Sequence, residues 1–91
     1  MPNDPELERL RARMDDVNRR LAAVLHERGR LCRAIGAHKN RQGLPPIDPE
    51  REAAMLTAMI RDTDGTGFPP EAMVRIFAAV LAEARALVRG S

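Results

Sequence analysis

Side chains of one helical face recur along about the first forty residues of the chain, at alternating steps of four and three. The positions in this series are Leu10, Met14, Val17, Leu21, Val24, Arg28, Leu31, Ile35 and His38. This largely apolar heptad spacing predicts one long helix, over about residues 5–41, with one face packed against other helices. About 36 residues at roughly 1.5 Å each would extend about 54 Å, which exceeds the width of a globular chain of this size. One chain alone therefore cannot cover this stripe.

Two shorter helices are predicted after a link that is rich in Gly and Pro. Asp48 is a candidate N-cap and Pro49 suits the first helical position, so the second helix should cover about residues 49–62. The third should cover about residues 70–89 and end before Gly90. Its inward positions are Met73, Ile76, Phe77, Val80, Leu81, Ala84, Leu87 and Val88. Because no strand pattern accompanies them, the fold class is predicted to be all-α, with a long, a short and a medium helix.

Composition indicates a small folded domain that spans residues 1–91. Hydrophobic residues make up 44% of the chain, and with two Phe and no Trp or Tyr the core must be aliphatic. The net charge is +2 with the signs interspersed, a pattern that does not favour nucleic-acid binding. A single cysteine, Cys32, excludes an internal disulfide framework and a cysteine-rich metal site. With no signal-peptide pattern and no apolar run long enough to span a bilayer, we expect a cytoplasmic protein away from membranes.

The candidate chemistry begins with cations in the helical stripe. Arg28 occupies a core position, and Lys39 lies eleven residues further on, within about 20° of it around the helix axis. Two cations that face a helical interior need an anion. Glu52, on the apolar side of the second helix, is a candidate partner for them. Arg28 could instead reach solvent along its own stem, and a lysine near a helix C-terminus is favourable in itself.

Other polar residues have simpler explanations or depend on a second chain. Asp48 needs no role beyond capping, whereas Arg51 places a cation at the positive end of the second helix, where it opposes the dipole. His26 and His38 lack a third ligand at metal spacing, so no metal site is expected. Arg11 lies about 25 Å from Arg28 along the helix. Only in an antiparallel dimer of long helices would the partner's Arg11 come near the Arg28–Lys39 end.

These residues together resemble the all-helical (AroQ-class) chorismate mutases. The matching positions are Leu10-Arg11, Leu21, Glu27-Arg28, Ile35-Gly36, Lys39, Pro45, Asp48-Pro49-Glu50-Arg51-Glu52 and Arg75-Ile76-Phe77. A further set is similar to one subgroup, whose members are fused to, or work with, the synthase that makes 3-deoxy-arabino-heptulosonate phosphate. That set is Asp16-Val17-Asn18, Glu27-Arg28-Gly29, Asp48-Pro49-Glu50-Arg51-Glu52 with Met55-Leu56, and Gly67-Phe68-Pro69.

The resemblance implies an intertwined homodimer of three-helix chains that rearranges chorismate to prephenate without a metal or cofactor. By the family pattern, Arg28 and the other chain's Arg11 would bind the substrate carboxylates, and Lys39 would face the breaking ether oxygen. The same pattern assigns the ring hydroxyl to Glu52 and the Asp48 backbone, and gives Arg51 a supporting positive potential. Ala84 and Val88 stand at two further substrate-binding positions of the family.

Ala84 and Val88 are also where the chain departs from the family pattern. Many members carry a small polar residue at the first position and Gln or Glu at the second, the latter reaching the ether oxygen. Val88 offers no hydrogen bond there, so the domain is expected either to be a weak catalyst alone or to rely on Arg85, Arg89 or a partner protein.

Three alternatives remain open at this point. One is a regulatory module of the synthase that binds chorismate or prephenate with little turnover. Another is an enzyme that acts on isochorismate or on an aminated chorismate. The third is a helical adapter, which explains the stripe but not the set formed by Arg28, Lys39 and Glu52.

Overall fold

The computed structural model describes residues 4–62 and 65–91, and in these ranges the chain contains three helices and no strand. Helix α1 runs over Pro5–Gln42, α2 over Pro49–Arg61 and α3 over Pro70–Arg89. The all-α class is confirmed, and each helix end lies within one residue of the expected position. Thr63 and Asp64, between α2 and α3, lie outside the described residues.

The chain divides into two compact units, Met1–Arg30 and Leu31–Ser91. The described part of the first unit is the N-terminal portion of α1, preceded by Asp4. The side chain of Asp4 accepts a hydrogen bond from the backbone N–H of Leu7 at 3.1 Å, which satisfies one of the unpaired donors at the start of the helix.

The apolar stripe of the first unit is exposed. Its large exposed side chains are Leu7, Leu10, Met14, Val17, Leu21, Val24 and Leu25. Met14 is 58% exposed and Val24 is 60% exposed, although both belong to the heptad series that should be packed. Contiguous apolar surface of this extent on a helix is typical of a face that another protein surface covers.

The second unit contains the end of α1 together with α2 and α3. Helices α2 and α3 pack against each other, and Leu81 of α3 is buried, as is Cys32 of α1. Gly36 lets the end of α1 approach α3 closely. A Cβ added to Gly36 would lie 2.5 Å from the carbonyl oxygen of Val88 and 3.0 Å from its Cα, so only glycine fits.

The link between α1 and α2 begins with a left-handed glycine and ends with a cap. Gly43 has φ +68°, a conformation that glycine adopts without steric cost. This turn lets the backbone N–H of Leu44 donate to the carbonyl of Lys39 at 2.8 Å. Asp48 then caps α2, with Pro49 at its first position, as the sequence predicts.

None of the helices, over the residues that are described, is long and apolar enough to cross a membrane.

Replacing Gly36 with Ala should destabilise the protein by about 1–3 kcal/mol, because the new methyl group collides with backbone atoms that cannot rotate away. Helix propensity alone would predict the opposite sign, a gain of about 1 kcal/mol. Urea unfolding followed by circular dichroism measures the difference. Gly67→Ala is the control, because an added Cβ at Gly67 meets nothing within 4 Å. A Gly36→Ala protein as stable as this control would contradict the close approach.

Candidate functional site

In the second unit, an ion pair between Glu52 and Arg85 connects α2 and α3. The guanidinium of Arg85 donates from Nε to both carboxylate oxygens of Glu52, at 2.9 Å to Oε1 and 3.1 Å to Oε2. Its Nη2 donates to Oε1 at 2.5 Å. The Glu52 side chain is only 16% exposed and that of Arg85 is 42% exposed. A bidentate arginine–carboxylate pair fixes the orientation of both groups, so Glu52 is held in one geometry.

The pair keeps Glu52 ionised. Hydrogen bonding from Arg85 holds the pKa of Glu52 below its ordinary value, although partial burial acts in the opposite direction. The charge of Arg89 also lowers the pKa of Glu52, whereas Asp48 raises it. In return, hydrogen bonding to Glu52 raises the pKa of Arg85. Glu52 is therefore a carboxylate at neutral pH and can accept further hydrogen bonds.

The N-terminus of α2 brings three of the predicted site residues together. The Asp48 side chain accepts from the backbone N–H of Arg51 at 3.1 Å, and the Asp48 carbonyl accepts from the N–H of Glu52 at 3.0 Å. Glu52 thus stands one turn after the cap, on the inward side, while the Arg51 side chain is exposed. The helix dipole and Arg51 both make this end electropositive.

Lys39 is tied to the link that leads into α2. Its Nζ donates to the carbonyl oxygen of Pro46 at 3.1 Å, and the residue is half-buried. An ammonium group has three N–H donors, so this bond leaves capacity for an anionic or ether oxygen. The bond also restricts where a long, flexible side chain points, which reduces the entropy lost when a ligand binds.

Ala84 and Val88 lie one turn apart on α3, and both are half-buried. The carbonyl and Cα of Val88 are the atoms that Gly36 approaches. Neither side chain carries a hydrogen-bonding group.

The other two predicted residues belong to the first unit. Arg28 is half-buried on α1. Arg11 is exposed, and its Nη1 lies 3.3 Å from Oε1 of Glu8. An exposed ion pair of this kind contributes about 0–1 kcal/mol, so the pair with Glu8 would not prevent Arg11 from binding another anion.

Glu52 was one candidate partner for Arg28 and Lys39, and in the structure it forms an ion pair with Arg85, which the sequence did not single out for this role. A pattern in the sequence could have indicated this residue, because Arg85 follows the buried Leu81 by four positions and precedes Val88 by three. That spacing places Arg85 at the border of the inward face of α3.

No group of three potential metal ligands occurs in residues 4–62 and 65–91. The polar groups described above in the second unit are the cations Lys39, Arg51 and Arg85 and the oriented carboxylates of Asp48 and Glu52. Fold and site together define a small all-α domain with features suited to an anionic ligand that also carries a hydrogen-bond donor.

Comparison with known proteins identifies the family. The sequence model of chorismate mutase type II matches residues 10–89, and the chain belongs to this family. Among curated relatives, the T-protein of Enterobacter agglomerans is 36% identical over 78 residues, which are 86% of this chain and 21% of the relative. The bifunctional chorismate mutase/prephenate dehydratase of Aquifex aeolicus is 33% identical over 79 residues, 84% of this chain and 22% of that protein. The chain therefore spans about a fifth of the length of these relatives.

Solved structures agree with this assignment over nearly the full length. Form II of a chorismate mutase from Thermus thermophilus has a TM-score of 0.87 and 35% sequence identity, and the match covers 91% of this chain and 93% of that one. Form I of the enzyme gives a TM-score of 0.83 at 35% identity, covering 87% of this chain and 98% of that one.

The ion pair predicts an acid-dependent loss of stability. Because folding lowers the pKa of Glu52, chiefly through hydrogen bonding from Arg85, its contribution to stability is complete above the pKa of the unfolded state and is lost as the pH falls through the lower pKa of the folded state. Wild-type protein should therefore lose more free energy of unfolding over this range than Glu52→Gln. Urea unfolding at a series of pH values measures both.

The control for this experiment is Glu83→Gln, which removes an exposed carboxylate from α3. It should keep the wild-type dependence on pH. Parallel curves for wild type and Glu52→Gln would show that the pair contributes no stability.

Proposed function

We propose that this domain catalyses the rearrangement of chorismate to prephenate, in the biosynthesis of aromatic amino acids. The observation that carries the proposal is the likeness to the Thermus chorismate mutase, which extends over more than nine tenths of both chains at 35% identity. The names of both solved neighbours and of the bifunctional relative describe mutases. They favour catalysis over a purely regulatory module that binds the same ligand.

The proposed reaction is pericyclic, so it needs no nucleophile and no redox step. Chorismate carries two carboxylates, and its side chain must lie over the ring before the new carbon–carbon bond can form. Catalysis then consists of holding this compact dianion and stabilising the negative charge that develops on the breaking ether oxygen. Fixed cations in a partly desolvated site provide both effects.

Arg28, Lys39 and the other subunit's Arg11 are the proposed cationic residues. In this proposal Arg28 and the second chain's Arg11 bind the two carboxylates as bidentate donors. Lys39 donates to the ether oxygen, where charge increases in the transition state. The hydrogen bond from Lys39 to Pro46 supports this role, because it restrains the side chain that must point at one atom.

The residues around the start of α2 are proposed to bind the ring hydroxyl. Glu52 accepts its hydrogen bond, the Asp48 backbone provides a second contact, and Arg51 adds positive potential. Ala84 and Val88 line the site from α3. The support for Glu52 is its orientation: it is an ionised carboxylate, and Arg85 fixes its position.

A homodimer is part of the proposal. The stripe of exposed apolar side chains on the first unit is the surface that a second copy would cover, and the heptad spacing suits a helix of the same kind. An antiparallel arrangement would supply Arg11 to the site of the other chain. Each dimer would then have two equivalent sites.

Two further points extend the proposal to the whole protein. We infer that residues 1–91 form one mutase domain and that it associates with the synthase that makes 3-deoxy-arabino-heptulosonate phosphate. Support for the association is the likeness of the segments around Asp16 and Gly67 to that subgroup, together with the missing donor at Val88. The cytoplasmic location stays a prediction.

The direct test is to follow the loss of chorismate by absorbance with purified protein, alone and with the synthase. Formation of prephenate by the protein alone would support the mutase function. A higher kcat/KM in the mixture would support the association. No turnover in either case would overturn the proposed function.

Arg28→Ala should abolish activity but leave a folded protein, because Arg28 is half-buried and alanine has the higher helix propensity. Arg13→Ala, at an exposed position of the same helix, is the control and should keep full activity. Mixed dimers of Arg11→Ala and Arg28→Ala chains should regain activity, since one of their two sites contains both arginines. Absence of rescue in mixed dimers identified by mass spectrometry would remove Arg11 from the site.

Val88→Gln should raise kcat, by up to roughly 10²-fold, because it introduces a hydrogen-bond donor beside the oxygen that gains charge. KM should change less, since the donor matters more in the transition state than in the ground state. Val88→Met is the matched control, with a side chain of similar size and no donor. Equal kcat values for the two folded variants would mean that position 88 does not reach the ether oxygen.

A further inference from the structure

The ion pair between Glu52 and Arg85 has a property that the proposed reaction does not use. Its two charges cancel, so a ligand that reaches the Glu52 carboxylate meets an acceptor whose charge is already balanced. The ring substituent of the proposed substrate would bind there. Whether Glu52 binds a neutral or a cationic substituent more tightly therefore depends on Arg85.

We propose that Arg85 determines substrate specificity, making the site select a ring that carries a neutral hydroxyl group over one that carries a cationic amine. This inference rests on the proposed mutase function and concerns the same site. Arg85 is a residue of α3 that acts through Glu52, so its role is to position and neutralise the carboxylate that contacts the substrate.

The electrostatic argument compares the two substituents. An alkyl amine is mostly protonated at pH 7, and an isolated carboxylate in a half-buried site would attract it strongly. With Arg85 bound, the guanidinium repels the ammonium at short range and cancels most of that attraction. A hydroxyl group carries no charge, so it loses little from the presence of Arg85 and still gains a hydrogen bond.

The hydrogen-bond count leads to the same preference. A carboxylate offers about four acceptor positions. Arg85 makes two contacts with Oε1 and one with Oε2. Among the contacts of the described residues, one acceptor position therefore remains, at Oε2. One position satisfies the single O–H of a hydroxyl group, but it cannot satisfy the three N–H donors of an ammonium group.

The surrounding charges do not reverse this balance. Arg89 of α3 acts on Glu52 in the same direction as Arg85, and Asp48 at the start of α2 acts against them. Lys39 of α1 adds another positive charge to this unit, and its ammonium group donates a hydrogen bond to the carbonyl oxygen of Pro46. Of the charged groups that act on the Glu52 carboxylate, two are cations and one is a carboxylate, so a cationic substituent is disfavoured as long as Arg85 is charged.

The experiment measures kcat/KM for chorismate and for its analogue in which an amine replaces the ring hydroxyl. Wild type should prefer chorismate. Arg85→Gln removes the charge but keeps an N–H donor, and it should raise the ratio of amine to hydroxyl turnover by about tenfold or more. Arg85→Lys keeps the charge and should keep the wild-type ratio. Arg75→Gln, which neutralises an exposed arginine on the same helix, is the control and should change neither value.

A second measurement separates this role from a structural one. Loss of Arg85 should raise the pKa of Glu52, because burial then acts without the opposing hydrogen bonds. The acidic limb of the kcat/KM profile for chorismate should move to higher pH in Arg85→Gln and stay in place in Arg75→Gln. A variant that is merely loosened would lose activity without this displacement.

The outcomes distinguish the inference from the function on which it rests. No turnover of either compound by wild type overturns the proposed function, and this inference with it. Turnover of chorismate with an unchanged ratio in folded Arg85→Gln overturns the specificity role alone. Equal acceleration of both compounds would show that Arg85 obstructs the site, and a wild-type preference for the amine would overturn the inference without any variant.

Discussion

The exposed apolar stripe of α1 is the constraint on which the rest of the molecule depends. The first unit consists, as far as it is described, of a helix and its cap, so nothing within that unit removes Leu10, Met14 or Val24 from water. Burying a side chain of this size is worth about 1.5–3 kcal/mol, and a series of seven represents a large part of the stability of a small domain. Such a surface is typical of one that another protein surface covers, and in the proposed dimer the covering helix would bring one arginine from each chain to a site.

In the second unit, a few polar side chains have fixed orientations although few apolar side chains are buried. Asp48 caps α2 and fixes where the helix begins, which sets the side of the helix on which the Glu52 side chain lies. Arg85 then fixes the carboxylate, and Pro46 restrains Lys39. Two of these polar groups, Asp48 and Lys39, are oriented by backbone groups of a helix end or a link, and Glu52 is oriented by an arginine of α3. Small domains can form precise sites in this way, because helix termini present unpaired backbone groups at defined positions.

Most of the fold could be predicted from the sequence, because its determinants are local. The heptad spacing defines α1, and the Asp48-Pro49 pair defines the start of α2 within one residue. The partner of Glu52 was missed because 33 residues separate it from Arg85, and local spacing does not specify which cation reaches across. The roles of Arg11 and Arg28 stay predictions, because they depend on a second chain that the sequence of one chain describes only indirectly.

The contact between Gly36 and position 88 is made by backbone atoms, the carbonyl oxygen and the Cα of Val88. Helix packing at this point therefore places its requirement on residue 36 and hardly any on the identity of the side chain at 88. In the proposed site, substitutions at 88 would change the groups offered to the substrate while the backbone contact with Gly36 stays the same. A lineage could therefore lose or regain the proposed catalytic donor at 88 without a compensating change at residue 36.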